Sequence, residues 1–179
     1  MSRELIFSCK TMDIHKRNLP HFEKEGSVYF VTFRLLRKQE LNDQERTIVL
    51  DCIKYSDNDK YNLYCAVVMP DHVHIIMQPL GKMGKTKQWH SLSDILRVIK
   101  GYSAKLINEE RMTQGALWQD ESFDRIIRNE AELIEKWNYI QNNPVEAGLV
   151  NLPNKYAFYF AKIYLYTLNI IKSANNIRN

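Results

Sequence analysis

The sequence predicts an α+β fold of the ferredoxin-like (RRM-like) kind. That fold is an antiparallel sheet with helices on one face, here followed by one further helix that carries chemistry. Three observations predict it. Strand-like and helix-like patterns alternate in the order strand, helix, strand, strand, helix, strand, helix. A Pro70-Asp71 pair separates the second and third strands tightly enough for a hairpin. And 179 residues, 45% hydrophobic and 26% charged, make one soluble domain with a sizeable core and no repeat or linker to divide it.

Residues 1–27 are polar and broken by Pro20 and Gly26. Residues 28–36, VYFVTFRLL, are β-branched and aromatic and read as a buried strand. Over residues 41–55 the apolar Leu41, Ile48, Val49, Cys52 and Ile53 recur among charges, with Asn42 or Asp43 able to cap, so a helix follows. Residues 61–69 and 72–78 are the two hairpin strands. Residues 79–90 form a Gly- and Lys-containing loop. Ser91, with Asp94 three residues on, starts the second helix; its expected buried stripe is Ile95, Ile99, Tyr102 and Leu106. Residues 122–128, SFDRIIR, are the fourth strand. Asn129, with Glu132 three residues later, starts the last helix, and Pro144 is expected to end it. Gly148 then opens a Tyr-rich final segment.

The charge of 25 Lys+Arg against 21 Asp+Glu is unevenly spread. Residues 151–179 hold Lys155, Lys162, Lys172 and Arg178 and no acid, so this tail accounts for the whole net +4. Residues 81–105 hold Lys82, Lys85, Lys87, Arg97, Lys100 and Lys105 against Asp94 alone. Two basic regions on a neutral body suit a polyanion, although a solvated loop and tail would look the same. The three cysteines, Cys9, Cys52 and Cys65, include no CxxC pair, which fits a reducing cytoplasm and gives neither a disulfide framework nor a thiolate metal site. No apolar run approaches a membrane span, and the N-terminus lacks a signal-peptide core.

Two constellations carry chemistry. In His72-Val73-His74 the alternation of a strand puts both imidazoles on one face, about 7 Å apart along the chain, where they can converge on a metal ion. A pair of hydrogen-bonded surface histidines would have the same spacing. On the last helix, Leu133, Trp137 and Ile140 mark the buried stripe. Tyr139 falls off it, sharing a face with Glu135 and Asn143. A phenol one turn from an amide can serve as a nucleophile toward phosphorus beside a cation, or it can be a half-buried tyrosine before an Asn-Pro helix end.

VVMPDHVHIIMQP, LSDILRVIKGYSAKLIN and LWQDESFDRIIRNEAELIEKWNYIQNNPVEAGLV closely resemble the IS200-like transposase domain. Within that family they look most like the REP-associated tyrosine transposase branch, whose N-terminal region RNLPHFEKEGSVYFVTFRL also resembles. The resemblance covers roughly residues 17–152 of a single domain spanning 1–179; residues 153–179 match no pattern of the family. It implies an HUH single-strand DNA endonuclease. His72 and His74 would be metal ligands, Asn143 the third (where related insertion-sequence enzymes use Gln) and Tyr139 the nucleophile. The implied cofactor is a divalent cation, Mg²⁺ or Mn²⁺. The implied partner is single-stranded DNA folded as a palindromic hairpin, cut and rejoined through a 5′-phosphotyrosine, and a homodimer is as compatible as a monomer.

For such a substrate, Lys82, Lys85, Lys87, Arg97, Lys100 and Lys105 are the expected phosphate contacts, and Trp89 the expected stacking residue. Trp118 and Trp137 are expected in the core. Three other readings share parts of this pattern. One is a non-catalytic single-strand binder on the same fold. Another is a hydrolase that activates water at the His pair. The third, an RNA-binding domain of RRM type, lacks its aromatic pair flanked by glycines.

Overall fold

The computed structural model describes residues 24–83 and 88–162. The elements are β1 (Val28–Arg34), α1 (Asp43–Lys54), β2 (Tyr61–Val68), β3 (His72–Pro79), α2 (Leu92–Arg111), β4 (Phe123–Ile127) and α3 (Glu130–Glu146). A 3₁₀ turn (Pro153–Lys155) and β5 (Tyr159–Ala161) complete the described chain. The first seven follow the predicted order. The sheet runs β4-β1-β3-β2-β5, every neighbouring pair antiparallel, so β1 and β3 are central.

The central strands are buried on both faces, which is why they read as nearly unbroken apolar runs. Val73, Ile75 and Met77 of β3 enter a core with Val49 and Ile53 of α1 and Leu92, Ile95, Leu96 and Ile99 of α2. Ile76 points the other way, to Phe30, Cys65 and Val67 of the sheet and Trp137 and Ile140 of α3. Thus α1 and α2 cover one face and α3 lies across the other. His72 and His74 share the α3 face with Ile76. Between β2 and β3 the Met69 N–H donates to the His72 carbonyl (2.8 Å) around Pro70-Asp71, the tight turn that sets the hairpin register.

The caps are those the sequence supplies. Asn42 and Glu45 form a reciprocal capping box on α1. Asn129 caps α3 through the Glu132 N–H (2.9 Å). Ser91 caps α2 through the Asp94 N–H (3.3 Å), while the Asp94 carboxylate turns to Arg97 (2.8 Å).

Three expectations need correction. The buried stripe of α2 is Leu92, Ile95, Leu96, Ile99, Ser103 and Ile107; Tyr102 is 55% exposed and Leu106 only half-buried. The stripe advances by four residues at Ile99 and Ser103, and Ser103 is held inside because its hydroxyl accepts the Trp118 indole N–H (3.0 Å) and donates to the Ile99 carbonyl (2.7 Å). Second, α3 does not stop at Pro144 but runs to Glu146. Proline removes only the bond to the carbonyl one turn back, and the chain continues to close on itself with Ala147 N–H to Asn143 carbonyl (3.0 Å) and Leu149 N–H to Pro144 carbonyl (2.9 Å). Third, the segment after Gly148 returns to the sheet. Tyr156 is buried and its hydroxyl donates to the Val68 carbonyl (2.8 Å), and β5 pairs Cys65 with Ala161. Residues 163–179, with Lys172 and Arg178, lie outside the described residues.

Candidate active site

The two histidines stand at the start of β3, where the strand leaves the tight turn. Their rings meet edge to face at 4.7 Å. Each is tied through Nδ1. His74 Nδ1 lies 2.7 Å from Thr32 Oγ1, and Thr32 is its direct neighbour across the β1–β3 ladder. His72 Nδ1 lies 2.6 Å from the Asp71 carboxylate, which Arg34 approaches at 3.6 Å. Tying Nδ1 in this way leaves Nε2 to face a ligand, the arrangement that orients metal-binding imidazoles in general. His74 is 3% exposed. Burial first, then the neighbouring His72 and the Arg34 guanidinium, push its pKa down to about 3, so it is a neutral imidazole at physiological pH.

From the opposite side, α3 brings Tyr139. Its hydroxyl lies 3.4 Å from His74 Nε2, and its ring meets His74 at 5.1 Å and Phe30 at 6.1 Å. Phe30 in turn stacks on His74 at 5.5 Å. Tyr139 as a residue is 41% exposed, whereas His74 beneath it is buried. Asn143, one turn further along α3, is buried. No group of three His, Cys, Asp or Glu side chains among those residues is placed to hold a metal. A coordination shell on the His pair would therefore need an amide or the substrate.

The structure thus gathers His72, His74 and Tyr139, with Asn143 on the same helix. The basic residues predicted from the sequence are placed elsewhere. Arg97 and Lys105 are exposed on α2, behind the sheet, and pair with Asp94 and Glu109. Lys100 is half-buried, its ammonium donating to the Asp120 carbonyl (2.8 Å) and Ser122 hydroxyl (3.2 Å). Trp89 follows the far end of β3 and lies against Gly26, where an added Cβ would come within 3.2 Å of the indole. Lys82 is exposed in the same loop. Lys85 and Lys87 fall outside the described residues. Thr32, Arg34 and Phe30 carry no signal of this role in the sequence, and Asp71 is read there only as part of the Pro70-Asp71 turn.

The family model described as Transposase IS200 like matches residues 25–143, from just before β1 to Asn143. The chain belongs to that family. No curated protein matches it. Among solved structures, a REP-associated tyrosine transposase bound to a REP hairpin shares the fold, with a TM-score of 0.62 and 23% identity over 76% of this chain and 77% of that one. A protein described as a transposase from Deinococcus radiodurans R1 matches with a TM-score of 0.45 and 23% identity, covering 64% of this chain and 88% of that one. A bacterial tRNA(His) guanylyltransferase-like protein in complex with GTP gives 0.47 and 12%, over 74% and 72%. Among the described residues no helix is long and apolar enough to cross a membrane.

Proposed function

We propose that this member of the transposase family is a tyrosine endonuclease and strand transferase of the REP-associated branch, acting on hairpin-containing single-stranded DNA. The observation that carries the reading is the 3.4 Å approach of the Tyr139 hydroxyl to His74 Nε2. The nitrogen left free for a cation and the oxygen able to attack phosphorus lie side by side, although they come from elements 65 residues apart.

The residues fit a divalent cation. His72 and His74 have Nδ1 committed to Asp71 and Thr32, and Asn143, one turn from Tyr139 on α3, offers an amide oxygen, so these three would hold Mg²⁺ or Mn²⁺. Bound there, the cation supplies Lewis-acid polarisation of the scissile phosphate. The rest falls to the chain. Phe30 and His74 hold the Tyr139 ring from one side, fixing the oxygen toward the phosphate. Tyr139 Oη bonds to phosphorus as the bond to the 3′ oxygen breaks. The phenol proton passes to water, and the departing 3′ oxygen takes a proton from water to leave as a hydroxyl. The phosphotyrosine keeps the bond energy, so a second 3′ hydroxyl can rejoin the strand without a nucleotide cofactor. Lys82, Arg97 and Lys105, with Lys85 and Lys87, would add phosphate contacts away from this point.

The test is a denaturing gel after incubation with single-stranded hairpin DNA and Mn²⁺. The wild type is expected to give a protein–DNA band that survives boiling in SDS. Tyr139→Phe, which removes one oxygen and almost no volume, is expected to give neither band nor cut strand. Cutting by Tyr139→Phe would assign the attack to water and overturn the proposal, and an unchanged adduct would move the nucleophile to another residue.

A further inference from the structure

The candidate site has an open flank that the mechanism above does not use. Across the α3 face, one row of the ladder runs from Phe123 on β4 to Thr32 on β1 to His74 on β3. Strand spacing sets Phe123 only about 10 Å from the His74 backbone. Its ring is 59% exposed, although it meets the buried Phe30 edge to face at 6.5 Å. Phe30 is also the ring that contacts His74 and Tyr139. Phe123 and Tyr139 are therefore no farther apart than two ring contacts in series.

A lone exposed aromatic ordinarily needs no explanation. This one differs in its setting. Trp118 and Gln119, just upstream, are absorbed by structure: the Trp118 indole bonds Ser103, and the Gln119 amide donates to the Leu35 carbonyl (3.1 Å). Phe123 has no such use, and it lies on the same sheet face as the two histidines. Cationic side chains flank it on that face, Arg34 on β1, 3.6 Å from the Asp71 carboxylate, and Arg125 on β4, paired with Glu132 at 2.8 Å, each with about half its side-chain surface still open. An aromatic face bordered by cations, on the edge of the reacting centre, suits a nucleobase whose phosphates run along either side.

We infer that Phe123 is the stacking platform for an unpaired base of the DNA next to the scissile phosphate, and so a positioning residue for the cleavage. The inference rests on the functional reading above. Stacking one flanking base fixes the strand in register with Tyr139 without reading its sequence, because every base has a π-face.

The test uses a fluorescein-labelled DNA hairpin with randomised single-stranded flanks, and the same hairpin with flanks made of abasic sites. Binding is followed by anisotropy in Mn²⁺, on a Tyr139→Phe background so that no strand is cut. Phe123→Ala is expected to raise Kd for the base-bearing hairpin by about 5- to 150-fold. Phe123→Trp is expected to restore it. Removing the bases is expected to weaken the Phe123 protein by a similar factor and the Phe123→Ala protein hardly at all. The salt slope is expected to stay the same throughout, since no phosphate contact changes. An unchanged Kd in Phe123→Ala, or an equal loss from base removal with and without the ring, overturns the stacking role and leaves the tyrosine chemistry standing. Failure of the Phe123 protein to bind the hairpin overturns both. An absent SDS-stable adduct in the protein that keeps Tyr139, alongside intact stacking, overturns the chemistry alone.

Discussion

Replacing Thr32 by Val tests how the site holds its imidazoles. Thr32 Oγ1 is 2.7 Å from His74 Nδ1, on a histidine with only 3% of its surface exposed. If the hydroxyl accepts the Nδ1 proton, Nε2 carries the lone pair that a cation needs. Valine keeps the shape and suits a strand, so β1 is expected to persist. The Nδ1–H is then buried without a partner, at a cost of about 1–3 kcal/mol. Removing such a partner from a ligating histidine ordinarily lowers metal affinity about 10- to 100-fold, or about 1.4–2.8 kcal/mol, so the two estimates agree. The assay is strand cleavage against Mn²⁺ concentration, with a urea unfolding curve for each protein. Half-saturation is expected to move up by about 10- to 100-fold, with the rate at saturating Mn²⁺ close to that of the wild type. Thr32→Ser, which keeps the oxygen, is expected to stay near the wild type. An unchanged half-saturation in a folded Thr32→Val protein would refute the reasoning and leave His74 a structural histidine.

Elsewhere the expected outcomes are as specific. Glu45, 2% exposed, accepts the Asn42 N–H and a two-pronged contact from Arg111, which holds its carboxyl below the usual range. Glu45→Gln is expected to cost about 3 kcal/mol, at the lower end for breaking a buried pair, because Arg111 keeps Gln39 and the Glu40 carbonyl. A carboxyl with a lowered folded pKa stabilises above its unfolded pKa and loses that contribution as pH falls through the folded value. The wild type is therefore expected to lose this part of its stability below about pH 4.5, and the variant to show a flatter acid limb in urea titrations. Lys82→Glu is expected to weaken single-strand binding and lower the salt slope by about 0.7, which anisotropy across a salt series would show. Lys100→Gln is expected to alter thermal stability and leave that slope alone, because the ammonium is committed to Asp120 and Ser122; a changed slope would put Lys100 on the DNA.

Much of the fold was legible because its signals are local. Asn42, Ser91 and Asn129 cap the helices they precede, and Pro70-Asp71 makes the hairpin, each within a few residues of its partner. What was missed depended on distant partners. Nothing near Ser103 says that a tryptophan fifteen residues on will donate to its hydroxyl and draw it inside in place of Tyr102. Nothing in the residues around Tyr159 says that three of them will extend the sheet beside β2, a pairing across more than 90 residues of chain. Pro144 misled in the opposite direction. A local rule ended the helix there, yet only one backbone bond was at stake and burial of Asn143 and Pro144 carried the helix on.

The site divides along the same line. His72 and His74 were visible because a strand's two-residue repeat fixes their common side, and Tyr139 because a helix's repeat excludes it from the buried stripe. Neither repeat says that the two elements face each other; that follows from α3 crossing the sheet face opposite α1 and α2. Thr32, Phe30 and Phe123 acquire meaning only through this crossing. Each is an ordinary strand residue in sequence, and each becomes part of the site through ladder register or ring contact with His74 or Tyr139. The basic residues show the converse: charge is countable along a chain, but where it points is not. Arg97, Lys100 and Lys105 follow the helical repeat of α2 onto the far side of the sheet, whereas Arg34 and Arg125, scattered in sequence and unremarkable by count, share the face with the two histidines. For a protein that grips a polyanion, the face on which a cation stands, rather than the local excess of cations, decides which phosphates it can reach.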